Sequence, residues 1–569
     1  METRKKMCEW SENEWLSDRR MLDRESSRDD PSLWSAVSES GMVVSAHYRA
    51  TAVGVEILAK GGNAVDAAIA TALALNVVEP AASGLGGMAM MVIYQSSSGR
   101  VVVLNGPCRA PIHATPEAVA AGHRKRGYKA VAVPTNPAVL DFALRGYGTL
   151  TAEQILEPAI RLAENGFPIT PFQHRLFREY LKGITKGNIA PFFLGPDQNP
   201  LPPGSILRQP VLAGTLRRLA QYGFTDFYTG EIGKRIAADM AENGGFICEA
   251  DLADIPWPIE REPLTRQVGD WVVHTLPPPG GGTALLQMLQ LFLQLAPGNF
   301  DPDSSEAAVL FASIIQRARL DLRTYSFAKN APDLSAARYA VQAAGEIREE
   351  LSGCGETTHL CTMDSSGNMV SMTQSIERSF GAKVAGRELG FIYNGYMKGF
   401  KIKNKRHPHF LRPGAVARSN AAPTIVMQGG FPSIAVGSTG SERLASGIFQ
   451  VLVRLGSQSP FQALAAPRLH CTPEGDVLIE AERFSPKALQ ALEKHVFRLV
   501  PQTAWDFSFG GLHLLIFDGD NKRMCGVAEP RRDGATASPF PSTLTPCGSE
   551  KGWRKPFFSQ RKKEKSLLI

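Results

Sequence analysis

Residues 355–377 read GETTHLCTMDSSGNMVSMTQSIE. The run THLCTMD, the loop DSSGN with its turn formers Gly367 and Asn368, and the run MVSMTQS are predicted to form a β-hairpin. At its head stands Thr357. A threonine hydroxyl is a poor nucleophile unless a base lies beside it, and an α-amine on the same residue, of reference pKa about 7.7–8.0, is one such base. That amine exists only if the chain is cut between Glu356 and Thr357. Attack of the Thr357 hydroxyl on the Glu356 carbonyl, followed by hydrolysis of the resulting ester, makes one oxygen serve both maturation and turnover. β-branched residues also precede strands for packing reasons alone, so Thr-Thr-His does not decide the matter by itself.

Outward from the hairpin, the texture differs on its two sides. On the C-terminal side, NAAPTIV, FPSIAVGSTGSERLASGIFQVLV, GDVLIEAE and HLLIFDGDNKRMCGVAEPRRDGATA alternate apolar runs with glycine turns. On the N-terminal side, order is expected from Gly41. There a strand-like GMVVSAH leads into helical runs, with Asn63 as an N-cap and Pro80 as a stop, and SGLGGMAMMVIY brings a glycine turn into a buried strand. Residues 135–250 read as helical scaffold, clearest in LTAEQILEPAIRLAENG, with Thr151 and Glu153 at its start and Gly166 at its end. The segment VVHTLPPPGGGTALLQMLQLFLQL reads as strand, turn and buried helix. Its GGG could cradle an anion on free N–H groups, although the Lys-Ser or Lys-Thr of a phosphate loop does not follow. Helix-rich stretches bracketing strand-rich ones point to layered sheets with helices outside.

The chain has 569 residues, 43% hydrophobic and 21% charged, which implies two lobes or one large domain. Its net charge of +7 is concentrated in a basic tail over 537–569, where seven Lys and Arg face Glu550 and Glu564. The rest is close to neutral, which argues against a nucleic-acid footprint. Residues 1–40 are polar and aperiodic and are expected to be a loosely docked extension. The eight cysteines form no CxxC pair, so scattered thiols are expected, and neither a disulfide framework nor a zinc site. The first twenty residues lack the apolar core of a signal peptide, and no run reaches the roughly 18 apolar residues of a membrane span, so the expected location is cytoplasmic. Isolated histidines such as His47, His113 and His174 imply no metal, and no cofactor is implied.

From about Gly41 to Ala537 the chain resembles the γ-glutamyltransferase family of N-terminal-nucleophile hydrolases. The resemblance is carried in order by GGNAVDAAIATALALNVVEPAASGLGGMAM, REPLTRQVGDWVVHTLPPPGGG, the TTH junction, DSSGNMVSMTQSI, AAPTIV and AEPRRDGATA. It implies an α+β fold, a four-layer αββα sandwich from a self-cleaved precursor. The large subunit would span 41–356 and the catalytic core of the small one 357–536. It further implies Thr357 as nucleophile, Ser375 as the hydroxyl residue bonded to it, and the N–H groups of Gly440 and Ser441 in GSTGSER as the oxyanion hole. For Ser441 this requires a negative φ.

The substrate pocket departs from the family. The position of its carboxylate-binding arginine is Pro107 here, and Arg109 in PCRAP is the substitute candidate. The gripping hydroxyl residues match Ser419 and Asn420. The ammonium-binding residues match Glu377, Tyr396 and Gly399, so the family's aspartate is gone. Either Glu377 supplies the missing negative charge, or Lys398 pairs with it and the substrate lacks an α-amine. The basic stretch 401–409, with Lys401, Lys403, Lys405, Arg406, His407 and His409, is a solvated loop or a rim that steers anions. It is shorter than the lid of lidded relatives. The implied activity is transfer or hydrolysis of γ-glutamyl amides such as glutathione. The alternatives are an acylase acting on an oxamate-like or glutaryl amide, and an uncleaved, non-catalytic homologue.

Overall fold

The Asp364 carboxylate closes the hairpin, accepting from the Ser366 and Asn368 N–H groups at 2.9 and 3.0 Å, and strands Glu356–Asp364 and Met369–Glu377 pair antiparallel. The same carboxylate accepts from Ala64 N at 2.9 Å, which ties the turn to the N-terminus of helix Ala64–Val78. That helix starts where expected: Asn63 accepts from Val65 and Asp66 in a reciprocal capping box. These features belong to a computed structural model that describes residues 18–119, 124–255, 259–325, 332–343, 356–407 and 409–540.

Two seven-stranded antiparallel sheets form its centre. One runs in the order Ala535–Ala537, Gly41–Ser45, Glu356–Asp364, Met369–Glu377, Met88–Gln95, Arg100–Gly106, Glu260–Arg261. The other runs Ser35–Ser38, Arg523–Val527, His513–Asp518, Phe431–Gly437, Thr424–Gln428, Trp271–Thr275, Leu264–Val268. Strand alternation divides the first sheet's side chains between two cores. Cys361, Met363, Met369, Met88 and Met90 meet Ile425, Ala435 and Leu515 between the sheets. Leu360, Val370, Met372 and Ile376 face the helices Tyr48–Ala59, Ala64–Val78, Asn136–Tyr147 and Ala152–Asn165. Helices Gly282–Leu295, Ser305–Tyr325 and Leu444–Arg454 cover the far side of the second sheet. The architecture is therefore the four-layer αββα sandwich.

Two expectations change. The polar N-terminal extension is part of the fold from Asp18 onward: Arg24 stacks on Trp34 at 4.2 Å, Arg175 grips Glu25, and Ser35–Ser38 forms a sheet edge against Arg523–Val527. Burying Trp34 and completing a ladder favours docking over solvation. The thiols are not all free, since Cys525 is disulfide-bonded while Cys108, Cys248, Cys361 and Cys471 are free. The GGG segment packs against backbone: Gly281 N donates to Ala421 O at 2.8 Å, and a side chain at Gly281 would meet Asn420 O at 2.2 Å. Most of the basic tail, 541–569, and Cys354 lie outside the described residues. No described helix is long and apolar enough to cross a membrane.

Candidate active site

Thr357 lies at a break in register: Glu356 pairs with Glu377 and Thr358 with Gln374, a bulge that re-aims the intervening side chain. Its hydroxyl donates to Ser375 Oγ at 3.3 Å, and Ser375 Oγ also accepts from Glu377 N at 2.9 Å. Both hydroxyl residues line a cavity of ≈ 490 Å³ together with Glu377, Tyr396, Ser419 and Asn420. Five of the residues singled out from the sequence thus converge on Thr357.

Gly437, at the end of strand Phe431–Gly437, fixes where the two sheets meet near the nucleophile. A side chain there would lie 2.2 Å from the ring of His359, two residues after Thr357. Three residues beyond Gly437 comes Gly440, at φ +97°, where a side chain would be strained and 3.0 Å from Ser508 O. Ser441 opens the right-handed 3-10 turn Ser441–Arg443, which meets the condition of negative φ, and the next residue, Glu442, lines the cavity. His359 itself is core. Its ring nitrogens face Thr373 Oγ at 2.9 Å and Cys361 Sγ at 3.3 Å, and burial holds it neutral, well below the ordinary histidine range.

Glu377 has the most unusual surroundings in the cavity. Its backbone is left-handed, φ 82°, which is uncommon outside glycine, and its Oε2 is buried with no hydrogen-bond partner. Desolvation raises its pKa to about 7, against the opposing pull of Lys398 and Arg378. Tyr396, beside Ser375, is pushed well above the ordinary phenol range by burial. Asn394 holds the Tyr396 segment by donating to Gly86 O and Ala132 O at 2.7 and 2.8 Å and accepting from Tyr396 N at 3.1 Å.

Arg109 does not reach this cavity, a correction to the sequence reading. Its backbone bridges Val133 and Val416, and its guanidinium donates to Gly414 O at 3.3 Å and Asp254 O at 2.9 Å, 3.6 Å from the Asp254 carboxylate. Other cations occupy the site. Arg319 and Arg323, one turn apart on helix Ser305–Tyr325, line it with Arg418, and Arg319 is paired with Glu442. Sequence reasoning missed these; the one available signal was the i, i+4 arginine pair. Lys398 and, from the basic stretch, Lys401, His407 and His409 also line the cavity. Burial, Lys401 and Arg418 depress His407; burial and Arg418 depress His409. No cluster of three metal-ligating side chains occurs among the described residues.

The αββα sandwich is the fold of the N-terminal-nucleophile hydrolase class, and here a threonine at a bulge, with a second hydroxyl at its side, stands at the wall of a polar cavity. The Gamma-glutamyltranspeptidase family model matches residues 50–538, and the chain belongs to that family of enzymes. It is 31% identical over 497 residues to a "Glutathione hydrolase proenzyme" from Pseudomonas sp. (strain A14), covering 80% of this chain and 86% of the relative. It is 33% identical over 534 residues to an "Acylase ACY 1 proenzyme" from Pseudomonas sp. (strain SE83), covering 88% and 93%. Among solved structures it is similar to a cephalosporin acylase from Bacillus halodurans, with 28% identity, a TM-score of 0.82, and 89% and 96% coverage.

Proposed function

We propose that the chain is a self-processing amidase that cleaves itself between Glu356 and Thr357 and then transfers γ-glutamyl groups from amides such as glutathione to water or an amine. The observation that carries this is Thr357 on a bulge at the cavity wall, with its hydroxyl on Ser375. After cleavage the Thr357 amine takes the hydroxyl proton as Oγ attacks the amide carbonyl. The N–H groups of Gly440 and Ser441 stabilise the oxyanion. The C–N bond then breaks, the same proton passes to the leaving nitrogen, and an ester on Thr357 remains. Water or an amine attacks that ester and regenerates the hydroxyl.

The Glu377 carboxylate, 4.0 Å from the Arg378 guanidinium but without a hydrogen-bond partner at Oε2, is the counter-charge for the substrate's α-ammonium, and Arg418 with Ser419 and Asn420 takes the α-carboxylate. A second reading is an acylase for side chains ending in a carboxylate and lacking the amine, such as glutaryl. It is favoured by the charge of the cavity: with Arg319 tied to Glu442 and Arg323 to Glu474, Lys398, Lys401 and Arg418 still outnumber Glu377. The relative named an acylase agrees with it.

Intact-mass measurement and N-terminal sequencing after incubation at neutral pH test the common core. Two fragments with a new terminus at Thr357 are expected, with Thr357→Ala remaining one inert chain; an unprocessed wild-type chain overturns the proposal. On the processed enzyme, γ-glutamyl-p-nitroanilide should exceed glutaryl-p-nitroanilide in kcat/KM, and the reverse order selects the acylase.

A further inference from the structure

A second cavity, of ≈ 660 Å³, opens where strand Met369–Glu377 ends. The chain leaves that strand through two successive tight turns, Gly381 N donating to Arg378 O at 2.7 Å and Lys383 N to Phe380 O at 2.8 Å. Phe380 and Lys383 are both left-handed, φ 59° and 61°, a conformation that residues with side chains hold only where the surroundings impose it. Here the Phe380 ring packs on Phe177, Tyr180 and Phe193, and a side chain at Gly183 or Gly187 would collide with Lys383. The turns bring Arg378, Ser379 and Lys383 to one space.

Lys125 and Arg126, both exposed, and Arg443 complete the wall, so that five cations stand against two carboxylates, Glu179 and Asp506. Asp506 is engaged, accepting from Ser508 N at 2.8 Å. Among the described residues Lys125, Arg126 and Lys383 form no ion pair. The Lys383 ammonium donates to Ser379 O at 2.6 Å over the rings of Tyr180 and Phe380. Burial and Arg378 lower it to about 8, the response of a cation short of counter-charge. Ser379, only 4% exposed, and Ser508 each have a buried hydroxyl oxygen with no hydrogen-bond partner. Buried polar groups left open in this way are satisfied by a ligand. Three cations without a partner and two open hydroxyls match the charge and the several oxygens of a phosphate group, which guanidinium and ammonium groups bind well.

Arg378 acts on both cavities. It lines the second, while its guanidinium lies 4.0 Å from Glu377 Oε2, whose carboxylate lines the catalytic cavity. An anion that draws on Arg378 takes counter-charge from Glu377. We propose that the second cavity is a regulatory site for a phosphate-bearing small molecule, whose occupancy is passed to the catalytic cavity through the Arg378–Glu377 pair. The site stands without the catalytic reading above; its effect on turnover rests on that reading.

Inorganic phosphate is titrated by calorimetry into the wild-type chain, with acetate and sodium chloride at matched ionic strength beside it. Saturable phosphate binding is expected, weakened about ten-fold or more in the rim double variant Lys125→Gln/Arg126→Gln and in Lys383→Met, the scale of one charge-assisted hydrogen bond. Acetate binding as tightly as phosphate overturns the ligand class, and phosphate binding unchanged in both variants overturns the site. On processed enzyme, saturating phosphate should alter the KM at pH 7 of the faster p-nitroanilide substrate by about two-fold or more, as a charge brought near a titrating group does. The rim double variant, with wild-type turnover in the absence of phosphate, should show no such change. A wild-type KM that saturating phosphate leaves in place overturns the coupling. So does a change that persists in the rim variant, since phosphate is then acting in the catalytic cavity. A chain that binds phosphate as expected but never turns over an amide keeps the site and removes the catalytic reading.

Discussion

Glu377 combines three features that rarely coincide in one side chain: a left-handed backbone, a buried carboxylate oxygen without a hydrogen-bond partner, its ion pair being to Arg378 at 4.0 Å, and a pKa raised to about 7. Because the folded-state value lies above the ordinary carboxyl value, the fold favours the protonated form. The stabilisation that protonation brings is complete below the ordinary carboxyl range and is lost as pH rises through about 7. Ammonium binding needs the opposite, ionised form. The KM for γ-glutamyl-p-nitroanilide should therefore fall as pH rises through about 7, whereas the KM for glutaryl-p-nitroanilide should not fall. Glu377→Gln should remove the inflection and raise the γ-glutamyl KM about ten-fold or more, the scale of one charge-assisted contact. A pH series of Michaelis curves on the two substrates checks this, and parallel profiles would remove Glu377 from ammonium binding. The sequence shows that a glutamate stands at this position. It does not show the left-handed backbone or the missing hydrogen bond, both of which arise where the strand ends against Gly395 and Ser375.

Secondary-structure elements were legible wherever their signals are local. The Asn63 and Thr151 caps, the 364–368 turn and the helix-terminating Gly166, at φ 82°, all act through hydrogen bonds or backbone angles within a few residues. The glycines of SGLGG were legible as sites of close approach, but not as to what approaches. A side chain at Gly87 would lie 2.3 Å from Ser375 O, and one at Gly86 would lie 2.4 Å from Ile392 O. Gly87→Ala should therefore push back the strand that carries Ser375. A loss of about 1–3 kcal/mol is expected, as for other overpacked sites, together with slower cleavage at Thr357. Urea midpoints and the time course of the fragment pattern measure both. Wild-type processing in a destabilised Gly87→Ala protein would separate the Ser375 placement from maturation. Arg109 shows the reverse limit, since proximity in sequence to Pro107 did not bring it to the cavity. Its backbone is committed to bridges with Val133 and Val416, and this aims the guanidinium at Asp254.

At the scale of the whole molecule, the closing motif AEPRRDGATA is a buried ionic lock. Arg531, fully buried, bridges Glu480 at 2.5 Å and Glu529 at 3.0 Å, and Arg468 reaches Glu529 at 2.6 Å. Despite burial, Arg531 holds the Glu480 carboxyl below its ordinary range, and Arg468 together with Arg531 does the same for Glu529. Arg531→Met leaves these carboxylates short of counter-charge, at an expected cost of about 3–5 kcal/mol. Denaturant unfolding measures it, and a change within error would show that Arg468 and Arg483 suffice.

What the sequence by itself determined is what neighbours along the chain decide: the hairpin, the caps, the positions where only glycine fits, and the threonine at the hairpin's head. These rest on periodicity and short-range hydrogen bonding, and the several ordered motifs then made the family recognisable. Only the tertiary structure decided the company Thr357 keeps. Arg319 and Arg323 come from helix Ser305–Tyr325, Glu442 from the 3-10 turn Ser441–Arg443, and Arg418 from the segment before strand Thr424–Gln428. Their convergence is set by how two sheets and their covering helices pack, and no local pattern in the chain records the result of that packing.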